Sequence, residues 1–235
     1  MNLLVLEEDD FTSSDRVCIS GPRFKHIKDV LRAQAGDTLR AGRIDGLMGN
    51  ALVHSINDLS VELDVDLIQP PPAPLPLTLL LALPRPKFLK RILQTVSSLG
   101  VKQIYLFNSY RVEKVYWSCE QLSEGAIREA CVLGLEQARD TMLPKLHLRC
   151  RFKPFLEDEV PALIEGTRAI LAHPTSELDC PYQVQTPITL AIGPEGGFID
   201  YEVGHFERAG FETVRLTERI LKVETAVTTL IGRLT

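Results

Sequence analysis

The residues whose types and spacing could do chemistry lie in the last third of the chain. In Ile188–Phe198, ITLAIGPEGGF, an apolar run predicts a buried strand that leads into a loop with three glycines in five residues, Gly193–Gly197. Glycines at a strand end allow positive φ angles and let the backbone approach a ligand closely. The pattern is neither GxGxxG nor GxxxxGK[ST]. It predicts either a ligand loop of undefined specificity or an ordinary tight turn, in which Glu195 caps nearby amides.

Two further segments could contribute to the same site. Leu216–Thr229, LTERILKVETAVTT, places Arg219 and Lys222 just before a predicted amphipathic helix, and Ile170–Pro174, ILAHP, ends a predicted strand at His173. Each also has an ordinary interpretation, a basic turn at a helix start and a structural histidine. The sequence contains no nucleophile elbow, HExxH motif or paired carboxylates at catalytic spacing. Any chemistry should therefore rely on binding and orientation.

A sheet must position these segments, and the pattern after residue 76 supplies one. We predict strands at Leu77–Leu83, Gln103–Phe107, Thr167–His173 and Ile188–Gly193, and helices at Phe88–Leu99, Glu120–Ala138, Glu202–Ala209 and Val223–Gly232. Alternating strands and helices favour a parallel α/β sheet, whose site lies beyond the carboxyl ends of its strands.

The first seventy residues follow a different rhythm. Short β-rich runs are predicted at Leu3–Leu6, Val17–Ser20, Thr38–Ala41, Ala51–Ile56 and Val61–Ile68, with one helix at Pro22–Leu31. This pattern is typical of a small β-barrel. A stiff proline-rich connector, QPPPAPLP, follows at Gln69–Pro76. We therefore predict two domains, residues 1–70 and residues 71–235.

Composition excludes several classes of protein. The 235 residues are 45% hydrophobic and 24% charged, which is typical of a globular chain and excludes a disordered one. The longest apolar runs are too short to cross a bilayer. Five scattered cysteines argue against a disulfide framework or a metal site, and the N-terminus, MNLLVLEEDD, lacks the basic start of a secretory signal. We expect a cytoplasmic protein.

The net charge of −5 conceals two basic regions. Arg16–Arg43 contains seven basic residues and two acidic ones, and Arg85–Lys114 contains seven basic residues and one acidic one. Such regions could bind a polyanion, although they could equally be solvated faces of ordinary elements.

Three motifs in order carry a resemblance to a known family. ILAHP, IGPEGGF and RILKVETAVTT succeed one another as they do in SPOUT methyltransferases. More narrowly, the chain resembles RsmE-type enzymes, which methylate N3 of a uridine in small-subunit ribosomal RNA with S-adenosylmethionine. The likeness extends over nearly the whole chain, and RFKHIKDVLRAQAGDTL resembles the PUA-like RNA-binding barrel of that family.

The resemblance implies a PUA-like barrel, a SPOUT α/β domain with a C-terminal trefoil knot, a homodimer and no metal. It implies that S-adenosylmethionine contacts three loops, at Leu171, Ala172, His173, Ile192, Gly193, Pro194, Glu195, Gly196, Gly197, Leu216, Ile220 and Leu221. Lys222 and Arg219 are the cations we place beside the base as catalytic residues. The ribosomal RNA backbone is expected to contact Arg23, Lys25, His26, Arg32, Arg85 and Lys87.

Three positions depart from the family pattern. Ser98 stands where relatives usually carry Glu, and Lys222 stands where they carry Arg. Asp140 occupies the usual place of an arginine after the Glu-Gln pair, and Arg139 lies one position early. Because only arginine offers a planar two-donor fork, these changes bear on the target base.

Two rival hypotheses follow. The chain could be a catalytically inactive RNA-binding protein of ribosome assembly that kept the fold. It could also be a small-molecule α/β enzyme whose GPEGG loop binds a phosphate, although this leaves the basic barrel without a role.

Overall fold

Residues 2–235 are described by a computed structural model, in which the chain divides into two compact units. The first unit comprises the chain up to Ala73 together with Leu135–Leu143, and the second comprises Pro74–Gly134 and Pro144–Thr235. The predicted domain boundary stays a prediction, but it does not include the return of the chain to the first unit at Leu135.

The first unit is built on a six-stranded sheet that curls into a half-barrel. Its strands are β1 (Leu4–Leu6), β2 (Phe11–Ser13), β3 (Arg16–Ser20), β4 (Thr38–Arg43), β5 (Met48–Ile56) and β6 (Ser60–Gln69). Their order is β1-β4-β5-β6-β3-β2, with β1 parallel to β4 and the other pairs antiparallel. Alternation along β6 buries Val61 and Leu63 against Val17 and Ile19 of β3 in the core of this unit.

The predicted helix at Pro22–Leu31 corresponds to helical backbone in the structure, but its winding changes within the segment. The structure has a short α1 (Gly21–Lys25) followed by a π-helical turn at His26–Val30, and a 3₁₀ turn forms at Glu8–Asp10. The Leu31 N–H donates to the His26 carbonyl, five residues earlier, at 3.0 Å. Hydrophobic spacing predicted helical backbone here but not its change of winding.

The segment Leu135–Leu143 belongs to the first unit because it bonds to the turn between β4 and β5. The Asp45 N–H donates to the Thr141 carbonyl at 2.9 Å, and the Asp45 side chain accepts from the Leu143 N–H at 2.8 Å. The Thr141 methyl group fills the space in which a Cβ on Gly42 would lie. Glycine at position 42 therefore permits this close approach.

The second unit is a six-stranded, fully parallel sheet with helices between its strands. Its strands are β7 (Leu75–Ala82), β8 (Val101–Phe107), β9 (Lys145–Arg149), β10 (Arg168–Ala172), β11 (Ile188–Ile192) and β12 (Glu212–Val214). Its helices are α2 (Pro86–Ser98), α3 (Glu124–Ala138), α4 (Phe152–Pro154), α5 (Val160–Ile164), α6 (Asp200–Ala209) and α7 (Val223–Leu234), with a π-helical turn at Phe155–Glu159 and 3₁₀ turns at Lys114–Ser118 and Glu120–Leu122.

The strand order β12-β10-β11-β7-β8-β9 positions the site. From β7 the chain builds β8 and β9 on one side, whereas β11, β10 and β12 lie on the other. The loops that leave β7 and β11 therefore diverge beyond the carboxyl edge, and a crevice opens between them.

Two features of this unit differ from the prediction. The long helix does not begin at Glu120: residues 120–122 form a 3₁₀ turn, and α3 begins at Glu124 because the Ser123 hydroxyl accepts from the Ala126 N–H at 3.3 Å and caps it. The short strands β9 and β12 were not predicted. Among residues 2–235, no helix combines the length and apolar character needed to cross a membrane.

Candidate functional site

A cleft of about 650 Å³ opens at the carboxyl edge of the parallel sheet. Three loops after strands form most of its wall, and the start of α2 and one face of α7 complete it. The lining residues are Arg85, Lys87, Phe88, Ala172, His173, Pro174, Ile192, Gly193, Pro194, Glu195, Gly196, Gly197, Phe198, Leu216, Thr217, Arg219, Ile220, Leu221, Lys222, Val223, Glu224, Ala226 and Leu230. Every residue expected to contact S-adenosylmethionine is among them except Leu171, which is fully buried in β10.

The glycine loop after β11 is a compact turn. The Gly197 N–H donates to the Pro194 carbonyl at 2.8 Å, and Gly197 has a φ of +73°. A Cβ at Gly193 would lie 3.1 Å from the Phe198 ring. The loop therefore needs glycine for both conformation and space, and it presents backbone rather than side chains to the cleft.

Glu195 ties this loop to the neighbouring helix. Its carboxylate accepts the backbone N–H of Arg85, the N-cap of α2, at 3.0 Å. A carboxylate here satisfies one of the free amides at the helix start and interacts favourably with the helix dipole. The structure thus supports the capping interpretation of Glu195. Its hydrogen bond joins the loop after β11 to the start of α2, which follows β7.

Arg111 is a residue of the site that the sequence did not single out. Its guanidinium Nη1 donates to the Gly196 carbonyl, and its Cδ lies 2.9 Å from the position of a Cβ on Gly196. Arg111 therefore braces the glycine loop from the segment after β8. Its membership of a basic run was visible in the sequence, but the contact joins residues 85 positions apart.

The third loop, between β12 and α7, carries exposed cations. Arg219 and Lys222 are both exposed, and Lys222 is the N-cap of α7, where its carbonyl accepts the Ala226 N–H at 2.8 Å. Within residues 2–235, neither side chain forms an ion pair with a carboxylate. Ile220 between them is 85% exposed. The loop thus combines free positive charge with apolar surface at the mouth of the cleft.

His173 ends β10 with its backbone fixed. Its N–H donates to the Val214 carbonyl at 2.9 Å, and its Nδ1 lies 2.9 Å from the Thr175 hydroxyl. These contacts explain a histidine at this position by local structure. Among the described residues, no three His, Cys, Asp or Glu side chains are grouped so that they could hold a metal ion.

The cations expected to contact RNA fall into different environments. Arg85 and Lys87 line the cleft, and the Lys87 ammonium lies 4.8 Å from the centre of the Phe88 ring. In the first unit, Lys25 and Arg32 are exposed.

Arg23, by contrast, is held inside the first unit. It donates two hydrogen bonds to the buried Asp10 carboxylate, at 2.6 and 2.7 Å, and a third to the Val5 carbonyl at 3.1 Å. The Asp10 carboxylate raises the pKa of Arg23. His26 is half-buried, and its Nε2 has no hydrogen-bond partner among the described residues. The hydrogen bonds to Asp10 and Val5 give Arg23 a structural role.

Two of the departures from the family pattern lie away from the cleft lining. The Ser98 hydroxyl donates to the Thr95 carbonyl within α2 at 2.8 Å. Asp140 is buried in the first unit, where its carboxylate accepts the Met142 N–H at 2.9 Å. Lys222 is thus the departure that lines the cleft.

A fully parallel α/β sheet with a glycine-lined cleft at its switch point defines a ligand-binding α/β domain. Residues 71–235 match the family described as RNA methyltransferase domain, and the chain belongs to that family. Ribosomal RNA small subunit methyltransferase E of Treponema pallidum is 29% identical over 232 residues, which cover 96% of this chain and 87% of the relative.

A second relative also covers nearly the whole chain, and a solved structure has a similar fold. Ribosomal RNA small subunit methyltransferase E 1 of Borreliella burgdorferi is 22% identical over 96% of this chain and 94% of the relative. The crystal structure of ribosomal RNA small subunit methyltransferase E from Neisseria gonorrhoeae, bound to S-adenosylmethionine, superposes with a TM-score of 0.73 at 19% identity, covering 99% of this chain and 95% of that one. The expected fold class, a small N-terminal β-barrel followed by a parallel α/β domain, is therefore confirmed as a half-barrel and a parallel α/β unit, whereas the C-terminal knot stays a prediction.

Proposed function

We propose that the chain is an S-adenosylmethionine-dependent methyltransferase of ribosomal RNA, acting on N3 of a uridine in the small-subunit RNA. The observation that carries the proposal is the cleft of three strand-end loops, which is lined by glycine backbone and by cations that form no ion pair with a carboxylate among residues 2–235. Relatives that cover nearly the whole chain, and that are named small subunit methyltransferases E, support the substrate.

The residues of the cleft fit the cofactor. A volume of about 650 Å³ is in the range of small-molecule sites. The half-buried side chains of Leu216 and Leu221 offer apolar surface to an adenine ring, and the Gly193–Gly197 backbone offers hydrogen-bonding groups without side-chain obstruction. S-adenosylmethionine supplies, when bound, a methyl group on a sulfonium centre. Arg111 and Glu195 keep the loop in the shape that receives it.

The chemistry required of the protein is mainly electrostatic. The N3–H of uracil must give its proton to solvent before N3 becomes nucleophilic, so negative charge develops on the base. Lys222 and Arg219, free of carboxylate partners among residues 2–235, lie at the cleft mouth and stabilise that charge. Arg85 and Lys87 hold the RNA backbone beside the base.

The first unit contributes RNA binding through exposed cations. Lys25 and Arg32 fit that role, whereas Arg23 is bound to Asp10 and supports the fold. The trefoil knot and the homodimer stay predictions of the family resemblance. Sedimentation velocity of the purified chain tests the dimer directly.

The proposal is tested by calorimetric titration with S-adenosylmethionine. The unsubstituted chain is expected to bind, and Gly196→Trp to lose binding because the indole must displace Arg111 and the loop. Gly125→Trp is the matched control, since a side chain there meets open space. Absence of binding by the unsubstituted chain, alone and with small ribosomal subunits, contradicts the proposal.

The substrate is tested separately by mass spectrometry of ribosomal RNA. RNA from cells lacking the gene is expected to lack one N3-methyluridine and to regain it on incubation with the chain and S-adenosylmethionine. Cofactor binding without any methyl transfer would instead favour the inactive RNA-binding protein.

A further inference from the structure

An exposed tyrosine stands on a rigidly held backbone beside the cleft. The side chain of Tyr110 is 78% exposed, yet its N–H donates to the Glu202 carboxylate at 2.8 Å. The hydroxyl of the preceding Ser109 donates to the other oxygen of that carboxylate at 3.2 Å, and Glu202 is only 2% exposed. The buried Glu202 side chain thus fixes the backbone of Tyr110, while the Tyr110 ring faces solvent. Packing within the unit does not explain an exposed ring at this position.

The segment from Tyr110 to Tyr116, which we call the aromatic rim, is joined to the cleft at two points. Arg111 donates to the Gly196 carbonyl of the glycine loop. The Tyr116 hydroxyl donates to Glu113 at 2.7 Å and interacts with the guanidinium of Arg85, a cleft-lining residue. The aromatic rim therefore adjoins the cleft through these two contacts, within one unit.

The charge of the aromatic rim favours a polyanion. Arg85, Arg111 and Lys114 are all exposed, and Arg85 interacts with the Tyr116 hydroxyl. None of the three forms an ion pair with a carboxylate among residues 2–235, and the one acidic residue of the rim, Glu113, accepts the Tyr116 hydroxyl. An exposed aromatic ring next to cations that have no carboxylate partner is typical of surfaces that bind single-stranded nucleic acid, where bases stack on rings and cations contact phosphates.

We propose that the aromatic rim binds unpaired RNA next to the methylated base, with one base stacked on Tyr110 and phosphates on Arg111 and Lys114. This inference rests on the proposed function and specifies its substrate as a single-stranded segment. The fixed backbone under Tyr110 reduces the entropy lost when a base stacks on the ring.

The test measures binding of the full chain to a fluorescent ten-nucleotide uridine-rich RNA and to the same sequence in a duplex. Tyr110→Ala is expected to weaken single-strand binding about ten-fold, as loss of one stacked base would, whereas Tyr110→Phe keeps it within about two-fold. Tyr182→Ala is the matched control, because Tyr182 is also exposed, at 67%, but lies outside the aromatic rim. Lys114→Ala is expected to reduce the slope of log affinity against log salt by about 0.7.

Three results would overturn the aromatic rim as an RNA site. They are unchanged single-strand binding by Tyr110→Ala, equal losses in Tyr110→Ala and Tyr110→Phe, and a preference of the unsubstituted chain for the duplex. Calorimetry of the unsubstituted chain with S-adenosylmethionine tests the proposed function by itself. If the chain binds S-adenosylmethionine but Tyr110→Ala leaves RNA binding unchanged, only the aromatic rim is rejected as an RNA site.

Discussion

Several cations of the first unit form ion pairs, whereas the cations at the cleft of the second unit form none among residues 2–235. In the first unit, Arg16, Arg23 and Arg43 pair with Asp64, Asp10 and Glu8 respectively, so much of the positive charge is neutralised within the fold. At the cleft of the second unit, Arg85, Lys87, Arg219 and Lys222 have no carboxylate partner in the part of the chain that the structure describes.

The comparison shows why charge counting along the sequence is a weak guide to RNA binding. Both units contain a run of seven basic residues, and only the tertiary partners distinguish a cation that stabilises the fold from one available to a ligand. Replacing a paired cation should change stability, and replacing an unpaired one should change function.

The sharpest test of this distinction is Lys222→Ala. We expect methyl transfer to fall about 100-fold, as when one charge-stabilising donor is lost, while the free energy of unfolding changes by less than about 0.5 kcal/mol. Lys222→Arg, which keeps the charge, is the matched control and should retain most of the rate. A large loss of stability in Lys222→Ala would show that Lys222 supports the fold.

Arg23→Ala should give the opposite result. Removing it leaves the buried Asp10 carboxylate without its partner, and the free energy of unfolding should fall by about 2 kcal/mol, less than for a fully buried pair because Arg23 is partly exposed. Lys25→Ala, on the same helix but exposed, should change stability by less than about 0.5 kcal/mol. Urea denaturation measures both. Unchanged stability with weaker RNA binding would return Arg23 to the RNA-binding residues.

Arg111 is an intermediate case, a cation whose partner is a backbone carbonyl. Arg111→Met keeps the aliphatic contact with Gly196 and removes the hydrogen bond, so the dissociation constant for S-adenosylmethionine should rise about ten-fold. Arg91→Met, an exposed position in the same basic run, is the control. If calorimetry shows that both variants bind S-adenosylmethionine like the parent, the glycine loop keeps its conformation without the hydrogen bond from Arg111.

The smallest effect concerns Glu136, a buried acid of the first unit. Burial raises the pKa of Glu136, against a hydrogen bond from the Val5 N–H and the charge of Arg23. A carboxyl group whose pKa is raised by folding favours the folded state when protonated, and that contribution is lost as the pH rises through the folded pKa. Glu136→Gln should therefore gain stability relative to the parent as the pH rises above the ordinary range of a glutamate, as thermal melts over a series of pH values would reveal. A difference that does not vary with pH contradicts this assignment.

Much of the second unit could be predicted because its signals are local. The apolar runs that became β7, β8, β10 and β11 are typical of buried strands, and the glycine loop after β11 is evident within five residues. The order of the strands in the sheet could not be predicted from the sequence, because it depends on crossovers between distant segments.

What the sequence could not provide were contacts between distant residues. The hydrogen bond of Arg111 to Gly196 and the packing of Thr141 on Gly42 each join positions more than 80 residues apart. No periodicity encodes either contact. The same is true of Arg23, whose helical position is evident in the sequence but whose partner, Asp10, is not.

The return of Leu135–Leu143 to the first unit has a consequence for modularity. The chain passes between the units three times, after Ala73, Gly134 and Leu143. Cleavage at the proline-rich connector would give an N-terminal fragment lacking the segment that bonds to Asp45 and covers Gly42. Recombination at that connector would likewise transfer an incomplete half-barrel. The first unit therefore cannot be transferred as one continuous stretch of sequence. Gene fusions or truncations that preserve it must include the distant segment Leu135–Leu143 as well.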